Sequence, residues 1–252
     1  MRQDERLAAI LDELAAHGTV GAAKLATTLG VSTATIRRDL ERLQEQRLLA
    51  RTHGGAVSHG VLYELPLRYK EARRQEEKRR IAAAAASRID DGSAVGLTGG
   101  TTCTEVARAL VERQGLTVVT NALNIASELA IRPNLRLLVT GGTARPESYE
   151  LVGPIAEATL EGLRLDLAVI GVDGIDASHG CTTHHEVEAH TNAVLMSRAQ
   201  RVVVVADSTK VGTAAFARIC AVERVDELIT DPAANVRALH ALREAGVEVT
   251  VV

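Results

Sequence analysis

The chain has 252 residues, enough for one large domain or two smaller ones, and 46% hydrophobic with 24% charged side chains is an ordinary balance for a globular protein. No apolar run reaches the roughly 18 residues of a membrane-spanning helix, and the start, MRQDERLAAI, has early acids and no apolar signal core, so no membrane partner is expected and the expected location is the cytoplasm. Net charge is −3 but uneven: residues 1–80 carry 15 basic and 11 acidic side chains and the remainder 14 and 21, which suits a small DNA-binding module on a larger sensor or enzyme.

Tryptophan is absent and aromatics make up 2% of the chain, which disfavours reading single strands by base stacking. Cys103, Cys181 and Cys220 are odd in number, widely spaced and without a CxxC pair. Free thiols in a reducing compartment fit that usage better than a disulfide framework.

In chain order, Leu7, Ile10, Leu11 and Leu14 give a first helix its apolar face, with Gly18 placed to end it. Ala22, Leu25, Ala26 and Leu29 repeat the spacing in a short second helix, and Gly30 makes a turn. The stretch VSTATIRRDL, residues 31–40, follows. Ser32 suits an N-cap bonding the Thr35 N–H, and Val31 can staple onto Ile36. Ile36, Leu40 and Leu43 form a buried stripe, leaving Thr33, Thr35, Arg37 and Arg38 outside.

Helix, short helix, turn, helix is a helix-turn-helix, whose second paired helix enters the DNA major groove. Hydroxyls and arginines there can reach bases or phosphates. The plain alternative is an ordinary surface helix with Arg37 and Arg38 near Glu41. Leu48 to Thr52 reads as a strand, and His53-Gly54-Gly55 closes a wing-like hairpin. Arg51 and His53 can sit on the DNA backbone, while a local turn hydrogen bond serves His53 equally well, and the two glycines permit close approach to a phosphate.

Residues 1–56 resemble the DNA-binding domain of the DeoR family of bacterial transcriptional regulators. The resemblance rests on Leu25-Ala26, Leu29-Gly30-Val31-Ser32, Thr35-Ile36-Arg37-Arg38-Asp39-Leu40 and Arg51-Thr52-His53-Gly54-Gly55-Ala56. Arg47 departs where the family usually has Gly, and Gly21 where a capping Ser or Thr is common.

Residues 57–66, VSHGVLYELP, lose periodicity around Gly60 and Pro66 and read as a linker. A charged helix is expected from about Leu67 to Ile89. Beyond Gly92, apolar runs at 94–98, 116–120, 135–140, 165–172, 201–206, 227–230 and 247–252 alternate with helix-length segments, the pattern of a mostly parallel α/β sheet. Asp231-Pro232 reads as an N-cap with proline at N1, opening a last helix that Gly246 ends. The organisation expected is a helix-turn-helix domain over 3–58, a linker over 59–75 and an α/β sensor over 76–252.

The sharpest chemistry in the second part is LTGGTT, residues 97–102, between a strand and a helix. Free N–H groups and the helix dipole favour an anion there. Gly99 and Gly100 allow close approach, while Thr101 and Thr102 supply hydroxyls. The segment lacks GxGxxG and the Walker lysine, so neither a dinucleotide nor a nucleoside triphosphate is indicated and no cofactor is expected. A tight strand–helix turn is the plain alternative. Thr140-Gly141-Gly142-Thr143, Gly171-Val172-Asp173-Gly174 and Asp207-Ser208-Thr209-Lys210 also follow strands, where ligands of open α/β sheets collect. Lys210 can meet a phosphate and Asp173 can accept sugar hydroxyls, although each alone suits a surface salt bridge. The run from His179 to His185, with His190 beyond, matches no standard zinc spacing, so no metal is expected and these residues are read as the rim of a crevice.

Residues from about Glu76 to Asp231 resemble the sensor domain of the same family. The matching segments are Glu77-Lys78, Gly100-Thr101-Thr102, Thr120-Asn121-Ala122-Leu123, Gly141-Gly142, Gly171 to Asp176, Ala206 to Lys210 and Ile229 to Asp231. The resemblance implies a fold similar to ribose-5-phosphate isomerase and a phosphorylated sugar effector. It puts the phosphate on Gly99 to Thr102 and the sugar near Asp173 and Lys210. Thr98 departs from the family's frequent Asp. The function implied is a homo-oligomeric repressor of carbohydrate-metabolism genes on double-stranded operator DNA, not an enzyme. The alternative is a sugar-phosphate isomerase with an appended DNA-binding domain.

Overall fold

The computed structural model describes residues 3–46, 48–57, 65–71 and 73–252. The chain divides into two compact units, Met1–Arg73 and Arg74–Val252. Among the described residues, no helix is long and apolar enough to cross a membrane.

The first unit contains α1 (Gln3–His17), β1 (Thr19–Gly21), α2 (Ala22–Leu29), α3 (Thr33–Glu45), β2 (Ala50–Thr52), β3 (Gly55–Val57) and α4 (Leu67–Lys70). Leu7, Ile10, Leu11 and Leu14 of α1 meet Leu25 of α2 and Ile36, Leu40 and Leu43 of α3 in one core. Gly18 and Gly30 stop α1 and α2 at φ +70° and +64°, a region that side chains with a Cβ resist. The wing is an antiparallel sheet in the order β1-β3-β2. Its first strand is too short to announce itself in the periodicity. Leu65 and Tyr69 join the same core, and the Tyr69 hydroxyl donates to Gln46 Oε1. Arg47, and the middle of the expected linker at 58–64, lie outside the described residues.

The single helix expected over 67–89 is two pieces, α4 and then α5 (Gln75–Ala86). Arg74 lies before α5 at φ +48°, and its guanidinium donates to Asp231 at 2.9 Å. A buried carboxylate thus holds Arg74 in a conformation that helix propensity does not anticipate.

The second unit continues with β4 (Ala94–Leu97), α6 (Thr101–Ala109), β5 (Thr117–Thr120), α7 (Leu123–Leu129), β6 (Arg136–Val139), β7 (Thr143–Ala144), β8 (Leu151–Val152), α8 (Pro154–Glu161) and β9 (Leu165–Gly171). Then come β10 (Gly174–Asp176), β11 (Gly180–Thr183), α9 (Glu186–Ser197), β12 (Ala199–Val205), β13 (Ala217–Cys220), β14 (Glu227–Thr230), α10 (Val236–Glu244) and β15 (Glu248–Val251).

Seven strands form a sheet in the order β15-β14-β12-β9-β4-β5-β6, every neighbouring pair parallel. Alternate residues of one strand serve opposite faces. Ala168 and Ile170 of β9 pack with Leu160, Leu195 and Leu242 from α8, α9 and α10. Leu167 and Val169 pack with Ile81, Val106 and Ile125 from α5, α6 and α7. That two-sided burial is why the strands read as continuous apolar runs. A second, antiparallel sheet, β10-β11-β13, sits over the α8–α10 face, with Ile175, Cys181, Ala217 and Ile219 in that core.

The last helix begins at Val236, four residues later than Asp231-Pro232 suggests. Asn235 caps it by accepting from Arg237 and Ala238 N–H groups. Asp231 caps only the turn before it, accepting from the Ala233 N–H at 3.1 Å, and it also accepts from the N–H of Ser208 at 2.7 Å and from Arg74.

Candidate functional site

In the first unit, the Ser32 hydroxyl accepts from the Thr35 N–H at 3.1 Å and lies 2.9 Å from the Thr35 hydroxyl. This cap fixes where α3 starts. Thr33, Arg37 and Arg38 are exposed and Thr35 is half-buried. Among the described residues neither Arg37 nor Arg38 forms an ion pair, and Glu41 lies 3.7 Å from Arg51. Arg51 and His53 are exposed on the wing.

Gly55 is buried within the wing. A Cβ there would lie 1.8 Å from the Val20 carbonyl oxygen, so this glycine admits β1 to the sheet. Asp39 is 1% exposed within α3 and takes two hydrogen bonds from the Arg6 guanidinium of α1, one of 3.1 Å. The carboxylate holds that guanidinium proton more tightly than usual, chiefly through the hydrogen bond, against some desolvation. A buried acid between Arg38 and Leu40 is therefore an anchor for α3, not part of its outer face.

In the second unit, strand order reverses between β4 and β9, which are neighbours. Their carboxyl ends carry Gly99 to Thr102 and Val172-Asp173, so the two glycine-containing turns flank one topological switch point. The approach is close. A Cβ on Gly171 would stand 2.7 Å from the Gly99 carbonyl oxygen. Gly100 precedes α6 at φ +109°. Its carbonyl accepts the first helical bond, from Thr104 N–H at 3.0 Å, which leaves the earlier N–H groups of α6 outside the intrahelical ladder.

The Gly99 N–H donates to Glu150 Oε1 at 2.7 Å. Glu150 is 2% exposed, and its other oxygen accepts from the Asn192 amide at 3.3 Å. Asn192 in turn accepts from Asn121 Nδ2 at 3.2 Å. Burial first, and the nearby Glu188 carboxylate second, push Glu150 well above the usual carboxylate range, against hydrogen bonds from Gly99 and Asn192 and the charge of Arg145. Asn121 is fully buried, and among the described residues its Oδ1 has no partner.

The other wall is ionic. Lys210 Nζ lies 3.2 Å from Asp173 Oδ1. Thr183 Oγ1 lies 2.6 Å from Glu188 and 3.1 Å from Asp173, and with one proton it donates to one carboxylate at a time. Arg145 pairs with Glu188, and His184 Nε2 lies 4.0 Å from Asp173. Arg145 is delivered by a tight loop in which Tyr149 sits at φ +59° and donates its N–H to the Arg145 carbonyl at 2.8 Å.

The structure thus brings Asp173 and Lys210 together and sets Gly99, Gly100, Thr101 and Thr102 across the switch point. Thr183 belongs to the run read from the sequence as the crevice rim and Asn121 to a family-matching segment, while the parts of Glu150, Glu188, Arg145 and Asn192 in the site carry no signal in the sequence. Thr98, at the departure from the family pattern, is fully buried, and its hydroxyl accepts from the Gly171 N–H at 2.9 Å, fastening β4 to β9. Histidines of the His179–His190 region are dispersed. His179 pairs with Asp176, His185 caps α9 and His190 lies 3.6 Å from Glu157. Among the described residues, no group of three or more His, Cys, Asp or Glu side chains is arranged to hold a metal ion.

Residues 6–60 match the DeoR-like helix-turn-helix domain, and residues 73–232 match the DeoR C terminal sensor domain. The chain is 36% identical to the putative aga operon transcriptional repressor of Escherichia coli O157:H7, over 98% of this chain and 93% of that one. It is 32% identical to the glycerol-3-phosphate regulon repressor of Escherichia coli K12, over 97% of each. It is 35% identical to the transcriptional repressor GlcR of Bacillus subtilis, over 100% of this chain and 97% of that one. Among solved structures, a ribose 5-phosphate isomerase A from Methanocaldococcus jannaschii superposes on 54% of each chain at 18% identity with a TM-score of 0.41. With both domains matched in order and relatives aligned along nearly its whole length, this chain belongs to the DeoR family of helix-turn-helix transcriptional regulators.

Proposed function

We propose that the protein is a cytoplasmic repressor of carbohydrate-metabolism genes, released from or directed to its operator by a phosphorylated sugar bound in the switch-point crevice. In this reading residues 3–58 contact DNA and residues 76–252 sense the effector, with 59–75 between them. Thr33, Thr35, Arg37 and Arg38 face the major groove, and Arg51 and His53 the adjoining backbone. The protein acts as a homo-oligomer, because helix-turn-helix proteins commonly read paired half-sites as dimers.

The single observation that carries the effector reading is the convergence at the β4/β9 switch point of a helix N-terminus, the Thr101 and Thr102 hydroxyls and the Lys210–Asp173 pair. A phosphate on Gly99 to Thr102 meets backbone N–H groups and the α6 dipole. Asp173 and Lys210 bond sugar hydroxyls, and the names of relatives from the glycerol-3-phosphate regulon and the aga operon support that ligand class.

Turnover is not part of this reading. Lys210 is tied to Asp173 and Glu150 is buried beneath Gly99, so neither is presented as a free acid or base. Calorimetric titration with a panel of sugar phosphates tests the reading. One member should bind, its unphosphorylated sugar should not, and Lys210→Ala should weaken binding about tenfold or more by removing a charge-assisted contact. Isomerisation of a sugar phosphate by the wild-type protein, abolished in Asp173→Asn, would replace the reading with an enzyme.

A further inference from the structure

The three cysteines, separated by tens of residues in sequence, are not equivalent in the fold. Cys103 is fully buried, and burial pushes its thiol up to about 12, so it is inert. Cys181 and Cys220 are opposite one another in the antiparallel pairing of β11 with β13. Directly opposed residues point to the same face of a sheet, and their Cα and Cβ separations overlap the range a disulfide requires.

Two further features bring these strands close at this pair. Gly180, at φ +72°, has no Cβ, and one would meet the Cys220 carbonyl oxygen at 2.1 Å. The register then shifts between Cys181 and Thr182, which pairs with Arg218 and leaves Ile219 as the extra residue of β13. Such a bulge twists the strand locally and re-aims side chains.

The surroundings also divide the labour. Cys220 is half-buried on the edge strand β13. Its thiol is held below its usual range, first by a hydrogen bond from Cys181 and also by the charges of Arg224 and Arg218, against burial. Cys181 is fully buried and pushed up, mainly by that same hydrogen bond and by desolvation. The less buried partner is therefore the nucleophile and the fully buried one the resolving thiol, since the thiolate is the reactive form.

We propose that Cys181 and Cys220 are a redox modification site, a cross-strand dithiol that a hydroperoxide converts into an intramolecular disulfide. The Cys220 thiolate attacks the peroxide, the O–O bond breaks, and Cys220 becomes a sulfenic acid as the leaving oxygen departs as hydroxide and is protonated to water. The Cys181 sulfur then attacks Cys220 Sγ, the S–O bond breaks, and a second water leaves with the Cys181 proton. Both sulfurs are oxidised, one hydrogen peroxide is reduced to two waters, and a dithiol reductant reverses the change. The site bears on the crevice through β11, which ends at Thr183 between Asp173 and Glu188.

The test uses the full-length reduced protein and hydrogen peroxide near stoichiometric ratio. Intact mass and thiol counting should show two of the three thiols lost with a mass change of two hydrogens, and peptide mapping should recover a Cys181–Cys220 cross-link and an unmodified Cys103. Cys220→Ala should abolish the reaction, while Cys181→Ala should leave a sulfenic acid on Cys220 that a 1,3-dione probe captures. The mapping on the wild-type chain stands even if a variant fails to fold. Three free thiols after peroxide, or a cross-link involving Cys103 or a second chain in place of this pair, overturns the proposal.

Discussion

Replacing Arg6 with alanine is predicted to damage the DNA-binding unit selectively. Arg6 is 11% exposed and Asp39 1% exposed, and the pair joins α1 to α3 through two hydrogen bonds. Removing one member of a buried pair leaves an uncompensated charge, at a cost of about 3–5 kcal/mol. The space left by the Arg6 side chain opens toward solvent and can admit water to Asp39, which favours the lower end, about 3 kcal/mol. A unit of this size has roughly 4–10 kcal/mol in hand, so the loss is a large fraction of its stability. Native-state hydrogen exchange read by mass spectrometry separates the two units within one chain. Peptides from 3–57 should lose protection by the predicted amount, and peptides from 74–252 should not. Asp39→Asn in the Arg6→Ala background should recover part of the loss, because an amide tolerates burial better than an unpaired carboxylate. A change below about 0.5 kcal/mol, the size of an ordinary surface substitution, would refute the reasoning.

Other perturbations separate surface, crevice and structural charge. Arg38→Ala should weaken operator binding by about 1–3 kcal/mol if the side chain reads a base, with the thermal transition unchanged because Arg38 is exposed; loss of the transition would mean its face was misread. Gly99→Ala puts a Cβ 2.3 Å from Glu150 Oε1, and displacing that buried carboxylate should cost about 1–3 kcal/mol of stability and weaken effector binding, as calorimetry would detect. Glu227 tests the pH dependence. Burial pushes its carboxyl up, but hydrogen bonds from Arg88 and Thr250 and the charges of Arg88 and Arg201 carry it below its ordinary 4.5. A carboxyl depressed in the folded state stabilises above its unfolded pKa and loses that contribution as pH falls through the folded value. Urea midpoints of wild type and Arg88→Ala should therefore differ most near neutral pH and converge below about pH 4.5; a constant gap would count against the pairing.

The parallel sheet was legible because its strands are buried on both faces. Leu167–Ile170 is apolar at four consecutive positions, and the structure sends those positions alternately to opposite cores. The helix-turn-helix was legible for a related reason, since the cap at Ser32 and the stripe Ile36–Leu40–Leu43 are local signals. The β10-β11-β13 sheet was hidden because its strands are three or four residues long and rich in glycine, threonine and cysteine, without a strong alternation.

Local signals misled where a side chain serves a distant partner. Asp231 beside Pro232 does accept from the Ala233 N–H, but it caps a turn and not the helix, and it also bonds the distant Ser208 and Arg74. The crevice divides along the same line. Its glycine turns follow strands and were visible, while Glu150 meets Gly99 across 51 residues and Arg145 meets Glu188 across 43. No spacing rule links such pairs. The sequence shows the freedom of Gly99 and not the carboxylate lying against it.

The most direct test of the account is fluorescence anisotropy of labelled DNA from upstream of the protein's own coding region, at fixed salt, titrated first with protein and then with sugar phosphates. Salt must be held constant because phosphate contacts make affinity steeply salt-dependent. Sequence-selective binding is expected, which one phosphorylated sugar shifts by about 1–3 kcal/mol, the usual range of coupling between two sites, while the corresponding free sugar leaves it unchanged. Selective DNA binding that no sugar phosphate alters would contradict the effector half of the account, and absence of selective binding would contradict its core.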